Sequence, residues 1–321
     1  MQRRELMRYS LAAIASAVSV AGHAGAASAG DQSPKAKSPV AKSPVPDGRT
    51  TAPLTVPASG QIKVAFLISA GAEVVDFAGP WGVFEYVFIR EGDKLRMPFQ
   101  LYNVADSTQP IKVTGGMTIV PNHDFAHAPA PDVIVIPALD TEKLAPAALT
   151  WLRAQQGKVA LTMSVCDGAY VLGEAGLLDG RRATAHHGGY GMLAAKFPKA
   201  EVVRGVRYVE DGRIASSGGL TSGMDLALRV VERYFGRDLA KQTARQLEYQ
   251  STGWMYPANN SEYLKPRVAR AGFAIDPICG AEVSVKTQLH WDYQGTRYYF
   301  CGDWCKDSFK AQPKRFLGTP T

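Results

Sequence analysis

Cysteine is scarce in this chain: there are four in 321 residues, and three of them, Cys279, Cys301 and Cys305, fall in the last 45. Cys166 therefore has no partner near it in sequence and reads as a chemical group rather than one half of a staple. Charge is also sparse. Charged residues make up 20% against 46% hydrophobic ones, which describes an ordinary soluble globular protein. The net charge of +7 owes much to Arg3, Arg4, Arg8, Lys35, Lys37 and Lys42, all outside any expected core. The sequence lacks a basic helix or an aromatic–basic patch, so no nucleic-acid partner is expected. The apolar stretch Leu11 to Val20 falls far short of the roughly 20 residues a membrane span needs, so no transmembrane segment is expected either.

Residues 1–29 have the layout of an export signal. Arg3-Arg4-Glu5-Leu6-Met7-Arg8 is a basic start, the alanine-rich stretch follows, and Ala27-Ser28-Ala29 offers a small-x-small cleavage site. The paired arginines resemble a bacterial twin-arginine signal, and the expected location is periplasmic or secreted. Residues 30–60 carry Ser33-Pro34, Ser38-Pro39 and Ser43-Pro44 with lysines between them, which predicts an extended, solvated linker.

From Ile62 the pattern alternates short apolar runs with helix-like segments. Ile62–Ile68, Phe99–Val104, Val133–Pro137 and Val159–Val165 are short and rich in β-branched residues, which predicts buried strands. Helices are predicted over Gly82–Arg90, Pro146–Gln156, Met192–Phe197 and Met224–Phe235. Asp211-Gly212 suits the turn of a hairpin joining Val206–Glu210 to Arg213–Ser216. Such alternation implies an α/β domain over 61–250 with a mostly parallel sheet covered on both faces, and sites in such sheets form at the carboxyl ends of strands. Residues 251–274 read as an irregular connector packed on that domain. Residues 275–321 form a separate module too short to hold together on a core alone.

Cys166 ends a strand and opens a helix-like stretch through Asp167-Gly168-Ala169. A thiol there sits near the positive end of a helix dipole, which predicts a lowered pKa. The other reading is a buried cysteine packed as a small apolar residue.

Four motifs then carry a family resemblance: Ala70 to Pro80 with Asp76, Ser164-Val165-Cys166 through Gly180, Ala183-Thr184-Ala185-His186, and Gly218 to Asp225. In this order they resemble the ThiJ/PfpI superfamily, class I glutamine amidotransferase-like, in the branch of isonitrile hydratases and AraC-type regulators. The resemblance implies a flavodoxin-like three-layer sandwich and a cysteine-dependent hydratase or hydrolase acting on a small electrophile, without a cofactor at Cys166. It implies Cys166 as nucleophile, Asp76 as its proton-moving partner and His186 close by, and a homodimer as in other members. Asp76 read as a cap for a helix starting at Gly79-Pro80, and His186 read as a buried hydrogen-bond anchor, remain the alternatives. Backbone N–H groups at Asp167, Ala138 and Leu139 are candidate oxyanion donors. Two departures stand out. Pro137-Ala138-Leu139 replaces the family's Pro-Gly-Gly, and Asp167 puts a carboxylate beside the thiol, which opposes its ionisation.

Asp276-Pro277-Ile278-Cys279-Gly280, Tyr298-Tyr299-Phe300-Cys301, Cys305 and Phe309 resemble a YHS domain. The resemblance implies a ββα module whose thiolates Cys279, Cys301 and Cys305 hold a heavy-metal ion, copper or zinc. His290 or a water would be the fourth ligand, and a disulfide among the three, or inert thiols, are the alternatives. Two functions stay open at this point: an exported enzyme with a metal module, or a non-catalytic periplasmic protein that binds metal or senses redox state.

Overall fold

The carboxyl ends of six parallel strands lie along one edge of the central sheet, and Cys166 lies there. The computed structural model describes residues 52–264 and 267–317, so the export signal and most of the linker lie outside the described residues. The strands and helices of the large domain run β1 Ile62–Leu67, α1 Val74–Glu85, β2 Phe99–Ala105, β3 His123–Asp124, β4 Val133–Ile136, α2 Pro146–Gln155, β5 Leu161–Val165, α3 Gly168–Glu174, α4 Tyr190–Lys196, β6 Tyr208–Asp211, β7 Ile214–Ser217, α5 Thr221–Phe235 and α6 Arg237–Gln246. They build a seven-stranded sheet of order β6-β7-β5-β4-β1-β2-β3. All neighbours are parallel except the β6–β7 hairpin, whose turn Gly212 has φ 64°.

Alternation along the strands builds the two outer layers. Val64 and Phe66 of β1 point into a core with Phe77, Val83 and Phe84 of α1 and Leu226, Val230 and Val231 of α5. Ala65 and Leu67 point the other way, onto Trp151 and Leu152 of α2 and Val171 and Leu172 of α3. The three-layer sandwich expected from the motifs is therefore present.

Two local expectations fail. The first helix spans Val74–Glu85, not Gly82–Arg90, because Pro80 sits inside α1 rather than at its start. A proline there removes the N–H owed to the Asp76 carbonyl and crowds that carbonyl, and packing of Phe77, Val83 and Phe84 holds the helix together. Residues 89–96 form a hairpin instead, Ile89–Glu91 against Lys94–Arg96. The described end of the linker is docked rather than solvated: Leu54 N–H donates to Arg233 O, the Arg233 guanidinium donates to Ala52 O, and Leu54 and Val56 pack on the core.

The connector packs as expected, burying Trp254 and Asn260. Beyond it the small module has two hairpins, β8 Phe273–Ile275 with β9 Glu282–Ser284 and β10 His290–Tyr293 with β11 Thr296–Tyr299, then α7 Asp303–Ala311 and α8 Pro313–Leu317. This is one hairpin and one helix more than ββα. Ile278, Phe300, Cys305, Phe309 and Phe316 form its core, and Ala194 of α4 completes it. Arg315 donates to Pro198 O and Ala200 O. The described residues of both domains belong to one compact unit. No helix among the described residues is long and apolar enough to cross a membrane.

Candidate active site and metal centre

The chain turns from β5 into α3 through two residues, Cys166 and Asp167, and the Cys166 φ of 58° lies in the left-handed region that non-glycine residues seldom enter. Its N–H donates to Ser217 O and Gly218 O at the end of β7. Gly168, two residues on, has no room for a side chain, because a Cβ there would collide with the Ile136 and Pro137 carbonyl oxygens.

Asp76 lies in the first turn of α1, fully buried, and its carboxylate reaches away from its own helix. Oδ2 accepts the Ala138 N–H at 3.1 Å and Oδ1 accepts the Leu220 N–H at 2.9 Å. The cap reading therefore fails; the residue ahead of the helix is Glu73. Leu220 itself has φ 54°, so the 218–221 loop is held in a strained shape that aims this N–H at the carboxylate. Arg207 braces the start of α5 through Asp225 at 2.6 Å and Thr221 at 3.1 Å.

Burial pushes the Asp76 pKa up to about 6, against the two backbone hydrogen bonds that pull it down. Cys166 is likewise raised, by burial first and then by the Asp76 and Asp167 carboxylates, which outweigh the stabilising Asp167 N–H. The lowered thiol pKa expected from the helix dipole is thus not what the site produces. α3 is only seven residues long, and its dipole competes with desolvation and two like charges. Asp167 is itself raised by burial, opposed by the charge of His186, and its Oδ1 has no hydrogen-bond partner.

His186 is brought to the thiol as expected. A Cβ on Gly219 would stand 2.6 Å from His186 Cδ2 and 3.2 Å from Cys166 Sγ, so the ring and the sulfur flank this one glycine. His186 Nδ1 accepts the Gly188 N–H at 3.2 Å, which leaves the neutral ring's proton on Nε2. His187, exposed, lies between His186 and Tyr263, tilted against the first and stacked on the second, with centroids 4.0 and 4.3 Å away. Gly219→Ala is expected to displace the His186 ring and slow alkylation of Cys166 about tenfold or more while far-UV dichroism stays unchanged. An unchanged alkylation rate would show that the ring does not gate the sulfur.

The oxyanion donors divide. Asp167 N–H points at the sulfur. Ala138 N–H does not serve, because it is spent on Asp76. Leu139 packs between the two cores. Gly219 and Leu220 join the site beyond the residues expected from the sequence, and the Gly218-Gly219-Leu220 motif is the signal that marks them.

At the other centre, Cys279 Sγ lies 3.4 Å from Cys301 Sγ, which lies 3.6 Å from Cys305 Sγ. All are free thiols, as is Cys166. One oxygen of Asp276 lies beside them, and these four atoms are within 4.8 Å of one another. His290 is outside this group, and its Nδ1 is buried without a partner. The donor set fits a thiophilic ion: S–S edges of a tetrahedral zinc site are about 3.8 Å for Zn–S of about 2.3 Å. The two centres share a wall. A Cβ on Gly191, five residues after His186, would collide with the Ile278 carbonyl beside Cys279.

A family model described as DJ-1/PfpI family matches residues 62–233, and one described as YHS domain matches residues 274–319. An isonitrile hydratase from Pseudomonas putida is 29% identical over 197 residues, covering 59% of this chain and 78% of that protein. An HTH-type transcriptional regulator, CdhR, from Pseudomonas aeruginosa is 32% identical over 141 residues, covering 43% of this chain and 41% of the regulator. Among solved structures, a ThiJ/PfpI family protein from Pseudomonas syringae aligns with TM-score 0.51 at 27% identity, covering 60% of this chain and 76% of that one.

Proposed function

From the premise that the chain belongs to the DJ-1/PfpI family and carries a C-terminal YHS domain, we propose that it is an exported, cysteine-dependent hydratase of small electrophiles such as isonitriles. The observation that carries this reading is the Cys166–Asp76 couple, a thiol beside a carboxyl whose pKa is raised to about 6, so that the carboxyl can hold a proton near neutral pH. Cys166 sulfur, giving its proton up to Asp76, adds to the terminal carbon of R–N≡C. Asp76 returns the proton to that carbon, leaving R–N=CH–S–Cys166. Water then adds across C=N, and collapse expels the thiolate to give the formamide R–NH–CHO. The first addition builds no carbonyl oxyanion, so the engagement of Ala138 N–H by Asp76 favours hydration over acyl transfer. His186 would steer the incoming group past Gly219.

The YHS domain is a metal-binding domain, and its Cys279, Cys301 and Cys305 would hold copper or zinc, which supplies a thiolate-bound ion for storage, delivery or sensing. A homodimer and a periplasmic location belong to the same proposal. A second reading, a non-catalytic metal binder or redox sensor, is favoured by one observation: burial and two carboxylates hold Cys166 in its thiol form. Turnover of an alkyl isonitrile or an α-oxoaldehyde that vanishes in Cys166→Ala decides for the enzyme. Equal rates in that variant would end the nucleophile role.

A further inference from the structure

Asp276 has no surface of its own, yet nearly every polar atom it owns is committed. Its N–H donates to Ala281 O and its carbonyl accepts Gly280 N–H, both at 2.9 Å. Oδ1 accepts the N–H groups of Ile278 at 2.8 Å and Cys279 at 3.4 Å. Oδ2 accepts the N–H of Cys301 at 2.9 Å, 25 residues further along the chain.

We propose that Asp276 is the positioning residue that preassembles the metal centre: its carboxylate braces the Cys279 loop to the Cys301 turn and does not itself bind the ion. The local bonds fix how the 277–280 turn presents Cys279. The long-range bond fixes Cys301, the second residue after β11, and Cys305 then follows in the first turn of α7. The two thiols that Asp276 holds are those 3.4 Å apart. A carboxylate has about four lone-pair sites, and three here are taken by backbone N–H groups. What it contributes is therefore geometry, in the manner of outer groups that orient metal ligands.

This inference rests on the YHS module being a metal site, and its test separates the two. Zinc and cobalt(II) are titrated into the full-length reduced protein and into Asp276→Asn. The variant keeps one acceptor oxygen but sets an NH2 group against one of the braced N–H groups. Zinc affinity is expected to fall about 10- to 100-fold. At saturation the cobalt spectrum should match the wild type in thiolate charge-transfer intensity and d–d bands, because the ligands are unchanged. Equal affinity would overturn the brace. A changed d–d envelope at saturation would make Asp276 a ligand and overturn it as well. Failure of the wild type to bind either ion would instead remove the metal reading beneath it. A wild-type measurement covers the case in which the variant does not fold: amide exchange at Cys301 should be slow and equal with and without zinc. Exchange that becomes slow only on adding zinc would show that the ion, not Asp276, assembles the site.

Discussion

Alkylation of Cys166 in the wild-type protein is expected to quicken about tenfold per pH unit up to about pH 6 and then level off. The reason is the shared proton. Once the first proton leaves the Asp76–Cys166 couple, the remaining proton divides between carboxyl and thiol in a ratio that pH does not change. The reactive form, Asp76 protonated with Cys166 as thiolate, then stays a constant fraction until a second proton is lost far above neutrality. The plateau should start where Asp76 titrates, near 6. In Asp76→Ala the thiol has no such partner, and its rate should climb without a break from pH 6 to 8, about a hundredfold. A wild-type profile with the same unbroken slope would mean that no proton is shared. Asp76 also sets a stability trend. Its folded pKa lies above the unfolded value of 3.8, so its contribution to stability is fully present below about pH 4 and lost as pH rises through 6.

Gly168→Ala is expected to be strongly destabilising, as one added methyl at the corner that carries Cys166. The added Cβ meets the Ile136 and Pro137 carbonyls, which are backbone at the end of β4 and have no rotamer to change. Relief requires the β5–α3 corner to move away from the sheet, and Cys166 with it. Overpacking of this kind costs about 3 kcal/mol, or roughly 6–12 °C in melting temperature for a domain of this size. Differential scanning calorimetry reads the shift, and an unchanged melting temperature would show the corner to be pliable.

The parts of this site that follow from local pattern were legible in the sequence. β1, β2, β4 and β5 announce themselves as short β-branched runs, and Cys166 at the end of such a run, ahead of small residues, marks the corner. α1 was misread because Gly79-Pro80 looks like a helix start, whereas packing on the sheet carries the helix straight through the proline. The use of the Ala138 N–H depends on a carboxylate 62 positions away, which no local pattern reveals. The raised Cys166 pKa depends on how deeply the sulfur lies and on two carboxylates converging from different elements. Asp276 was visible as part of a motif, but its bond to Cys301 appears only once β11 has been placed.

Two separate cysteine chemistries are proposed for this chain: a thiol sharing a proton with a carboxyl at Cys166, and a metal centre at Cys279, Cys301 and Cys305. A pH-resolved alkylation map by mass spectrometry, on protein recovered from its native compartment with and without chelator, reads both at once. The predicted map shows Cys166 labelled from pH 6 upward at a nearly constant rate, and the other three protected until chelator is added. Cys166 inert below pH 9, or protection of the three that yields to reductant but not to chelator, would contradict it.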